Sequence, residues 1–335
     1  MSTQASDLLT RANNALIHYP RFNDLHRSIR MCQELSVLAG EPQCMVLEGV
    51  TGAGKSTLVQ AYAASFPRRE TGEGTIIPVL YVETPSPATV KGLAARMLEA
   101  MGDPAAQRGT LWSMNSRLVH YGGQCQVQLV ALDDFHHLID RETNRVLAEV
   151  SDWLKVLIKE MNKPFLVVGV EGKVDLILHN NKQLSRLFAV RETLEPFRWE
   201  PSDIETIREF ALFVKCAEEG LGMSLADELK REEWLQRLFM ATDGIVGNVM
   251  NLIRCAALLA QQEQVTLLTR EIMGRAFDIR LRKHVPPRSA NPFTDVPQPE
   301  AALPAASADP ANSTNNRSRR RKDVEESPTE VLRAS

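Results

Sequence analysis

The sequence contains no CxxC pair and no long apolar run, and both absences exclude classes of protein. Its five cysteines are scattered along the chain, at Cys32, Cys44, Cys125, Cys216 and Cys255. This pattern indicates reduced thiols that pack as small apolar side chains, and it excludes a disulfide framework. A membrane span would need a run of about 18 apolar residues, and the N-terminal residues lack an apolar signal core. We therefore expect a cytoplasmic protein with no membrane anchor.

The chain also lacks a strong charge of either sign. Its net charge is −3 over 335 residues, so any surface that binds nucleic acid must be a local patch. Apolar residues make up 44% of the sequence, which is enough to bury a full core. The length predicts about two domains.

Strand-like apolar runs alternate with amphipathic helical patterns over residues 41–197. Continuous apolar strands separated by such helices indicate a buried parallel sheet with helices on both faces. The predicted fold class is therefore α/β. The strand-like runs read CMVLEG, TIIPVLYVE, VQLVALDD, PFLVVGV and VRETLEPF.

Other segments lie on either side of this core. Residues 198–283 show only helical patterns and predict a second, all-helical unit, in which Ser202 and Glu205 form a capping box that opens the first helix. Residues 284–335 hold eight of the 18 prolines and few large apolar residues, so we predict a disordered tail. Residues 1–40 are assigned to an N-terminal helical segment.

A glycine-rich loop stands between the first predicted strand and the helix that follows it. Its sequence fits the pattern GxxxxGK[ST] in the context that this motif requires. Glycines let the backbone N–H groups turn inward toward phosphate oxygens, and the helix N-terminus adds about half a unit of positive charge. Lys55 is expected to reach the β- and γ-phosphates of ATP, and Ser56 to bind Mg²⁺. The residues predicted to hold the nucleotide are Gly49, Val50, Thr51, Gly52, Ala53, Gly54, Lys55, Ser56 and Thr57.

Two aspartates end the predicted strand VQLVALDD. Asp133 is placed to hold the Mg²⁺ shell, and Asp134 to orient or deprotonate an attacking water. The residues His136 and His137 follow, and their spacing does not suit a metal site, so we interpret them as solvated or packing residues. The loop and the acidic pair together predict an ATPase.

With these motifs the sequence resembles the AAA+ ATPases, and within them the TniB/TnsC family of DNA-transposition regulators. The resemblance covers about residues 10–283 and includes, in the family's order, HYPRFNDLHRSI, LEGVTGAGKST, VALDDFHHL, FLVVGVEG, QLSRLF and GIVGNVMNLIRCAA. It implies a five-stranded AAA+ P-loop core, a helical lid, and nucleotide bound between subunits. It also implies ATP-dependent assembly of a ring or helical filament on double-stranded DNA, linking a target-selection protein of the TniQ/TnsD type to the transposase.

The resemblance assigns further residues to the site. Arg186 occupies the position of an arginine finger that reaches the γ-phosphate in a neighbouring subunit, and Arg191 is the alternative. Three residues depart from the family pattern. Asp134 replaces the usual glutamate, Val170 stands where a polar sensor is expected, and Asn248 stands where a basic residue of the lid contacts the nucleotide. Because a catalytic group misplaced by about 1 Å can cost about a hundredfold in rate, we predict tight ATP binding with slow hydrolysis.

The resemblance also implies where DNA is held. In the family, the helix after the second strand and the loop beyond it line the channel of the assembly. In this sequence the corresponding residues are Lys91, Arg108 and Thr110, which we expect to contact DNA phosphates. Arg96 and Arg117 are weaker candidates.

Two terminal features are also assigned. The segment Tyr19–Arg21 corresponds to a family element that packs on a neighbouring subunit. The basic run Arg317–Lys322 could contact DNA or a partner protein such as the transposase, but acidic residues follow it at once. A solvated linker therefore stays open as the alternative.

Other functions stay open from the sequence alone. An initiator or helicase-loader type AAA+ ATPase shares the core and lid, although it would normally carry a winged-helix DNA reader as well. A secretion or peptidoglycan-associated AAA+ protein would need a transmembrane anchor. A P-loop small-molecule kinase would use Asp134 to accept a proton from a substrate hydroxyl.

Overall fold

Five parallel strands form the central sheet of the protein. They are β1 Met45–Glu48, β4 Val79–Glu83, β5 Leu129–Asp133, β6 Phe165–Val168 and β7 Val190–Thr193, and their order in the sheet is β4-β5-β6-β1-β7. The computed structural model describes residues 16–72, 74–86, 88–139, 144–179, 181–222, 224–282 and 290–294. The predicted parallel α/β core is therefore confirmed.

One predicted strand is divided in two. The run TIIPVLYVE contributes to β4 and to β3 Gly74–Ile76, which pairs in an antiparallel hairpin with β2 Arg69–Thr71 outside the central sheet. Pro78 lies at the division, where it cannot donate a ladder hydrogen bond. Its carbonyl accepts the N–H groups of Gln128 and Leu129.

Helices cover both faces of the sheet because alternate strand residues face opposite sides. Val46 of β1 faces a core that includes the helices after β4, β5 and β6, whereas Met45 and Leu47 face a core shared with the first two helices and the C-terminal helices. The helices are α1 Pro20–Ala39, α2 Lys55–Ala64, α3 Val90–Met101, α4 Leu111–Gln124, α5 Asn144–Met161, α6 Lys173–His179, α7 Lys182–Leu187, α8 Ile204–Leu221, α9 Glu232–Thr242, α10 Val246–Gln262 and α11 Arg270–Arg280.

Helices α8 to α11 form the lid. The first of them begins one residue later than the capping box predicts, because Asp203 is the N-cap and its carboxylate accepts the Glu205 N–H at 3.1 Å. The lid is also not purely helical. A parallel pair of two-residue strands, β8 Ser224–Leu225 and β9 Leu267–Leu268, connects two of its loops.

The segment before α1 packs on the lid of the same chain. The ring of Tyr19 lies 5.7 Å from that of Phe197 and 5.1 Å from that of Phe213, and only 4% of Tyr19 is exposed. Arg21 donates to the Glu209 carboxylate at 2.6 Å. The family resemblance places this element on a neighbouring subunit, and for Tyr19 that assignment is wrong because its own aromatic core already buries the side chain.

Part of the predicted tail is also packed. Residues 290–294 lie against the lid, and Phe293 is 1% exposed. The prediction of disorder from residue 284 is therefore wrong for these five residues, because an apolar site on the lid accepts the phenylalanine. Residues 1–15 and the remainder of the predicted tail, with Arg317–Lys322, lie outside the described residues.

None of the described helices, taken singly, has both the length and the apolar character to cross a membrane. Helices α9 and α10 meet that test of length and composition only as a pair, and they are bent by 110° at the break between them.

The aromatic contacts of Tyr19 predict a measurable contribution to stability. Tyr19→Ala should lower the free energy of unfolding by about 3 kcal/mol, because it removes a buried ring and leaves a cavity in the core. Tyr19→Phe keeps the ring and should stay within about 0.5 kcal/mol of the wild type. Urea unfolding measures both variants, and an alanine variant as stable as the phenylalanine variant would contradict the packing.

Candidate nucleotide-binding site

A cavity of about 550 Å³ opens at the carboxyl ends of the central strands. Parallel strands place their carboxyl ends at one edge of a sheet, where ligands of open α/β folds bind. The glycine-rich loop follows β1 at this edge, the acidic pair ends β5, and Val170 follows β6. The cavity is lined by Thr51, Gly52, Gly54, Lys55, Ser56, Thr57, Asp134, His136, His137, Val170 and Gly247.

The glycines of the loop are required by its backbone. Gly52 and Gly54 have φ angles of 83° and 98°, a region that side chains disfavour. A Cβ atom on Gly49 would lie 2.4 Å from the Leu194 carbonyl oxygen. The structure thus brings six of the predicted loop residues to the cavity wall, whereas Gly49, Val50 and Ala53 are not among the residues that line it.

Lys55 is the buried cation of the site. Its Nζ donates to the carbonyl oxygens of Gly49 at 2.8 Å and Val50 at 2.9 Å, and the residue is 7% exposed. Burial lowers the pKa of Lys55, and the charges of Asp134 and Asp133 oppose that change. The cation therefore lies at the base of a loop whose open side faces the cavity.

The two predicted acids take different positions. Asp133 is 1% exposed, and its carboxylate accepts the Tyr81 hydroxyl at 2.8 Å and the Asp134 N–H at 2.9 Å. Burial raises the pKa of the Tyr81 hydroxyl well above its ordinary value, and the charge of Asp133 adds to the rise. Tyr81 therefore remains a donor that holds Asp133 in place, while Asp134 lines the cavity.

His136 and His137 also line the cavity, which the sequence interpretation missed. They lie in a 3₁₀ helix, Phe135–Ile139, and their rings are 4.4 Å apart. Asp134 has a φ of 50°, and this left-handed turn at the end of β5 directs the following residues along the cavity. The imidazoles are polar groups on the same wall as Val170.

The lid reaches the cavity through backbone. The N–H of Gly247 donates to the Gly52 carbonyl at 2.8 Å, and a Cβ atom on Gly247 would lie 2.7 Å from that oxygen. Asn248, predicted to contact nucleotide, instead donates its side-chain amide to the Thr242 carbonyl at 3.1 Å. Gly247, one residue earlier, is the lid residue that lines the cavity.

The two candidate arginine fingers differ in their contacts. Arg191 binds Asp175, the Ser185 hydroxyl at 3.0 Å and the Phe188 carbonyl. Arg186 is exposed near the end of α7, and within the described part of the chain it has no hydrogen bond or ion pair. The structure therefore leaves Arg186 available and engages the alternative.

The candidate DNA contacts lie on α3, on α4 and in the loop between them. Lys91 and Arg108 are exposed, and Thr110 caps α4 by accepting the Ser113 N–H at 3.3 Å. Arg117 is a structural residue, because it pairs with buried Asp103 and donates to the carbonyls of Ala105 and Arg108. Arg117 is therefore engaged within its own chain, and its contact with DNA stays a prediction.

Two exposed side chains complete this surface. Arg96 pairs with Glu99 at 3.0 Å on the exposed side of α3. Trp112, in the first turn of α4, is 80% exposed, and no sequence pattern singled it out. Lys91 and Arg108 thus remain the cations of this surface for which the structure shows no ion pair within the described residues.

The donor set suits Mg²⁺ with a nucleotide. Mg²⁺ prefers hard oxygen ligands and typically takes one or two carboxylates together with substrate phosphates. Ser56 supplies a hydroxyl in the cavity wall, and Asp133 a carboxylate at the carboxyl end of β5. Within the described residues no three His, Cys, Asp or Glu side chains form a separate metal-binding group.

The backbone contact between the lid and the loop predicts that position 247 tolerates no side chain. Gly247→Ala should lower the free energy of unfolding by about 1–3 kcal/mol, because the new methyl group cannot fit against the Gly52 carbonyl. Gly123→Ala is the matched control. A Cβ atom there meets nothing within 4 Å, so in α4 it should be neutral or stabilising by up to about 1 kcal/mol. Equal effects of the two changes in urea unfolding would refute the contact.

Comparison with known structures identifies the fold. The Aeropyrum pernix ORC2 protein, in its ADPNP-ADP complexes, has a TM-score of 0.58 at 15% identity, covering 79% of this chain and 70% of that chain. The Aeropyrum pernix ORC1 protein in complex with DNA has a TM-score of 0.53 at 17% identity, covering 79% and 66%. Cdc6p from Pyrobaculum aerophilum has a TM-score of 0.54 at 17% identity, covering 80% and 69%. The similarity shows a shared fold, that of the AAA+ ATPases, and confirms the fold that the sequence predicts.

Comparison with protein families gives the closer relationship. No curated protein sequence matches the chain. A family profile described as Bacterial TniB protein matches residues 9–200, which is more than half of the chain and includes the loop around Lys55 and the acidic pair. The chain therefore belongs to the TniB family.

Proposed function

We propose that this protein is an ATP-dependent DNA-binding regulator of transposition that assembles into a ring or helical filament on double-stranded DNA. The observation that carries the proposal is the position of Arg186. The Leu187 carbonyl accepts the N–H of Cys44 at 3.1 Å, so α7 ends beside the start of β1. The cavity lies at the other end of that strand, about 13 Å away for four residue steps. This separation supports a role for Arg186 at the nucleotide of another copy of the chain.

A nucleotide site that needs an arginine from a second copy suits a protein whose assembly is controlled by ATP. An arginine supplied from a neighbouring subunit neutralises charge on the γ-phosphate only when subunits are in contact. ATP then stabilises the contact between copies, and its hydrolysis weakens that contact. Nucleotide state and assembly are coupled in this way through a single side chain.

The chemistry of the cavity favours slow hydrolysis. Mg²⁺, held by Ser56 and Asp133, would offset the charge of the phosphates. Asp134 would orient the attacking water, although its side chain is one carbon shorter than the usual glutamate. Val170 offers no polar group to that water, and the polar groups on this wall come from His136 and His137. We expect long-lived ATP states on DNA.

Exposed cations on α3 and on the loop after it would hold the duplex. Lys91 and Arg108 would contact phosphates, which gives affinity without sequence choice. Thr110 would add its hydroxyl while it caps α4. The similarity to an ORC1 protein whose structure is in complex with DNA supports a nucleic-acid partner.

Membership of the TniB family supports a place in transposition. In this proposal the assembly on DNA links a target-selection protein of the TniQ/TnsD type to the transposase, in the cytoplasm. The similarity to ORC2 and Cdc6p favours one alternative, an initiator or helicase-loader type AAA+ ATPase. Stimulation of a transposase, compared with loading of a helicase, distinguishes the two.

The buried position of Lys55 in the loop predicts that ATP binding depends on this residue. Lys55→Ala should weaken ATP binding by about a hundredfold, because truncating one partner of a buried charge contact costs several kcal/mol. Titration with a fluorescent ATP analogue measures the affinity. Lys215→Ala, on the exposed side of α8, is the control and should bind as the wild type does. Undiminished affinity of the Lys55 variant would remove the loop from nucleotide binding.

If Arg186 acts on the nucleotide of a neighbouring copy, two inactive variants should complement each other when they are mixed. Arg186→Ala and Asp134→Asn should each lower DNA-stimulated hydrolysis by about a thousandfold while still binding ATP. An equal mixture should recover about a quarter of the wild-type rate, because that fraction of heterologous interfaces pairs an intact arginine with an intact aspartate.

The exposed pair of Arg198 and Glu195 provides the control for that experiment. Arg198→Ala should hydrolyse ATP at the wild-type rate, alone or in mixtures. A mixture of the two inactive variants that stays inactive, although both bind ATP, would show that Arg186 does not act between subunits.

A further inference from the structure

A short segment beyond the last helix fills a groove on the lid. Residues 290–294 lie between α9 and α11, and Asn291, Pro292 and Phe293 are all buried there. Phe293 is 1% exposed, and its ring lies 6.4 Å from that of Phe277 in α11. This contact involves neither the nucleotide cavity nor the candidate DNA surface.

The segment forms a turn that its own sequence specifies. The Thr294 N–H donates to the Asn291 carbonyl at 3.2 Å, which closes a four-residue turn. Asn291 Oδ1 accepts the Phe293 N–H at 2.9 Å. Asparagine at the first position and proline at the second are the residues that such turns favour. The Asn-Pro-Phe sequence thus favours the turn that directs the phenylalanine side chain into the groove.

One wall of the groove is a fixed guanidinium. Arg237 of α9 donates to the Pro292 carbonyl at 3.0 Å. The arginine is 8% exposed, is held by Glu233 at 2.9 Å, and lies 4.5 Å over the ring of Trp234. Its donor is therefore oriented by two neighbours in the same lid helix.

The opposite wall is a glycine in the interior of a helix. The Gly274 carbonyl in α11 accepts the Asn291 side-chain amide at 2.8 Å. A Cβ atom on Gly274 would lie 3.0 Å from Thr294 Cγ2 and 3.5 Å from Phe293 Cβ. Glycine weakens a helix interior, and here its lack of a side chain admits the turn.

We propose that the groove between α9 and α11 is a binding site for an Asn-Pro-Phe turn, and that residues 290–294 of the same chain occupy it. The groove recognises the turn through hydrogen bonds as well as through apolar contact. The Gly274 carbonyl accepts the asparagine amide, and Arg237 donates to the proline carbonyl. The phenylalanine ring packs against the apolar core of the lid. We expect a peptide that contains the same Asn-Pro-Phe sequence to compete for the groove.

The docked turn fixes where the rest of the chain leaves the lid. The connection from Arg282 to Ala290 is short, so a free peptide competes against a high effective concentration of the attached segment. The basic run Arg317–Lys322 follows later in the sequence. The groove thus gives the C-terminal segment a defined origin on the lid.

Cleavage of the connection tests the proposal in the full-length chain. A site for a sequence-specific protease replaces residues 284–288, and the cleaved protein is separated by gel filtration. The C-terminal fragment should remain bound to the body of the protein. Excess peptide RSANPFTDV should release it, and the peptide RSANPATDV should release about tenfold less or none, because it lacks the ring.

A matched pair of variants locates the contact. Asn291→Ala should weaken retention of the fragment by about tenfold, because it leaves the buried Gly274 carbonyl without its donor. Asn312→Ala makes the same change elsewhere in the fragment and should leave retention unchanged.

Three outcomes would overturn the proposal. Immediate loss of the fragment after cleavage, or equal release by both peptides, would show that the groove does not recognise the turn. An uncleaved chain that is dimeric in the wild type and monomeric as Phe293→Ala would show that the segment docks on a second copy instead.

Discussion

A backbone hydrogen bond joins the glycine-rich loop of the candidate site to the lid. The N–H of Gly247 meets the carbonyl of Gly52 at 2.8 Å, so the lid rests directly on the loop that would surround phosphate. Neither residue carries a side chain that could yield, and protein interiors transmit such contacts with little compression. A change in the loop on binding nucleotide must therefore move the lid or break this bond. In the proposed function this contact would let the lid respond to the nucleotide, while Arg186 would couple the nucleotide to a neighbouring copy.

The positions of the site residues support the proposal that ATP hydrolysis depends on contact between copies. The loop, Asp133 and Asp134 stand at the carboxyl ends of the strands, whereas Arg186 stands beside the opposite ends. In the proposed function, contact between copies would bring Arg186 of one copy to the cavity of another and complete each site.

Much of this arrangement could be predicted from the sequence where its signals are local. The loop follows β1 directly, and Asp133 ends an apolar strand, so short patterns are sufficient. Gly247 was missed and Asn248 chosen because adjacent helix residues point about 100° apart, and only tertiary packing sets that rotation. The histidines after Asp134 were missed because a left-handed turn at a residue other than glycine has no clear sequence signal. Composition outweighed the Asn-Pro turn signal in the tail, so the docking of Phe293 was missed as well.

The central claim is that ATP joins copies of this chain on DNA. The most direct test is the molar mass of the purified protein on a short duplex, measured by analytical ultracentrifugation with ATP, with ADP and without nucleotide. The proposed function predicts several copies on each duplex with ATP and dispersal with ADP or without nucleotide. A single copy in all conditions, or equal loading without nucleotide, would contradict it.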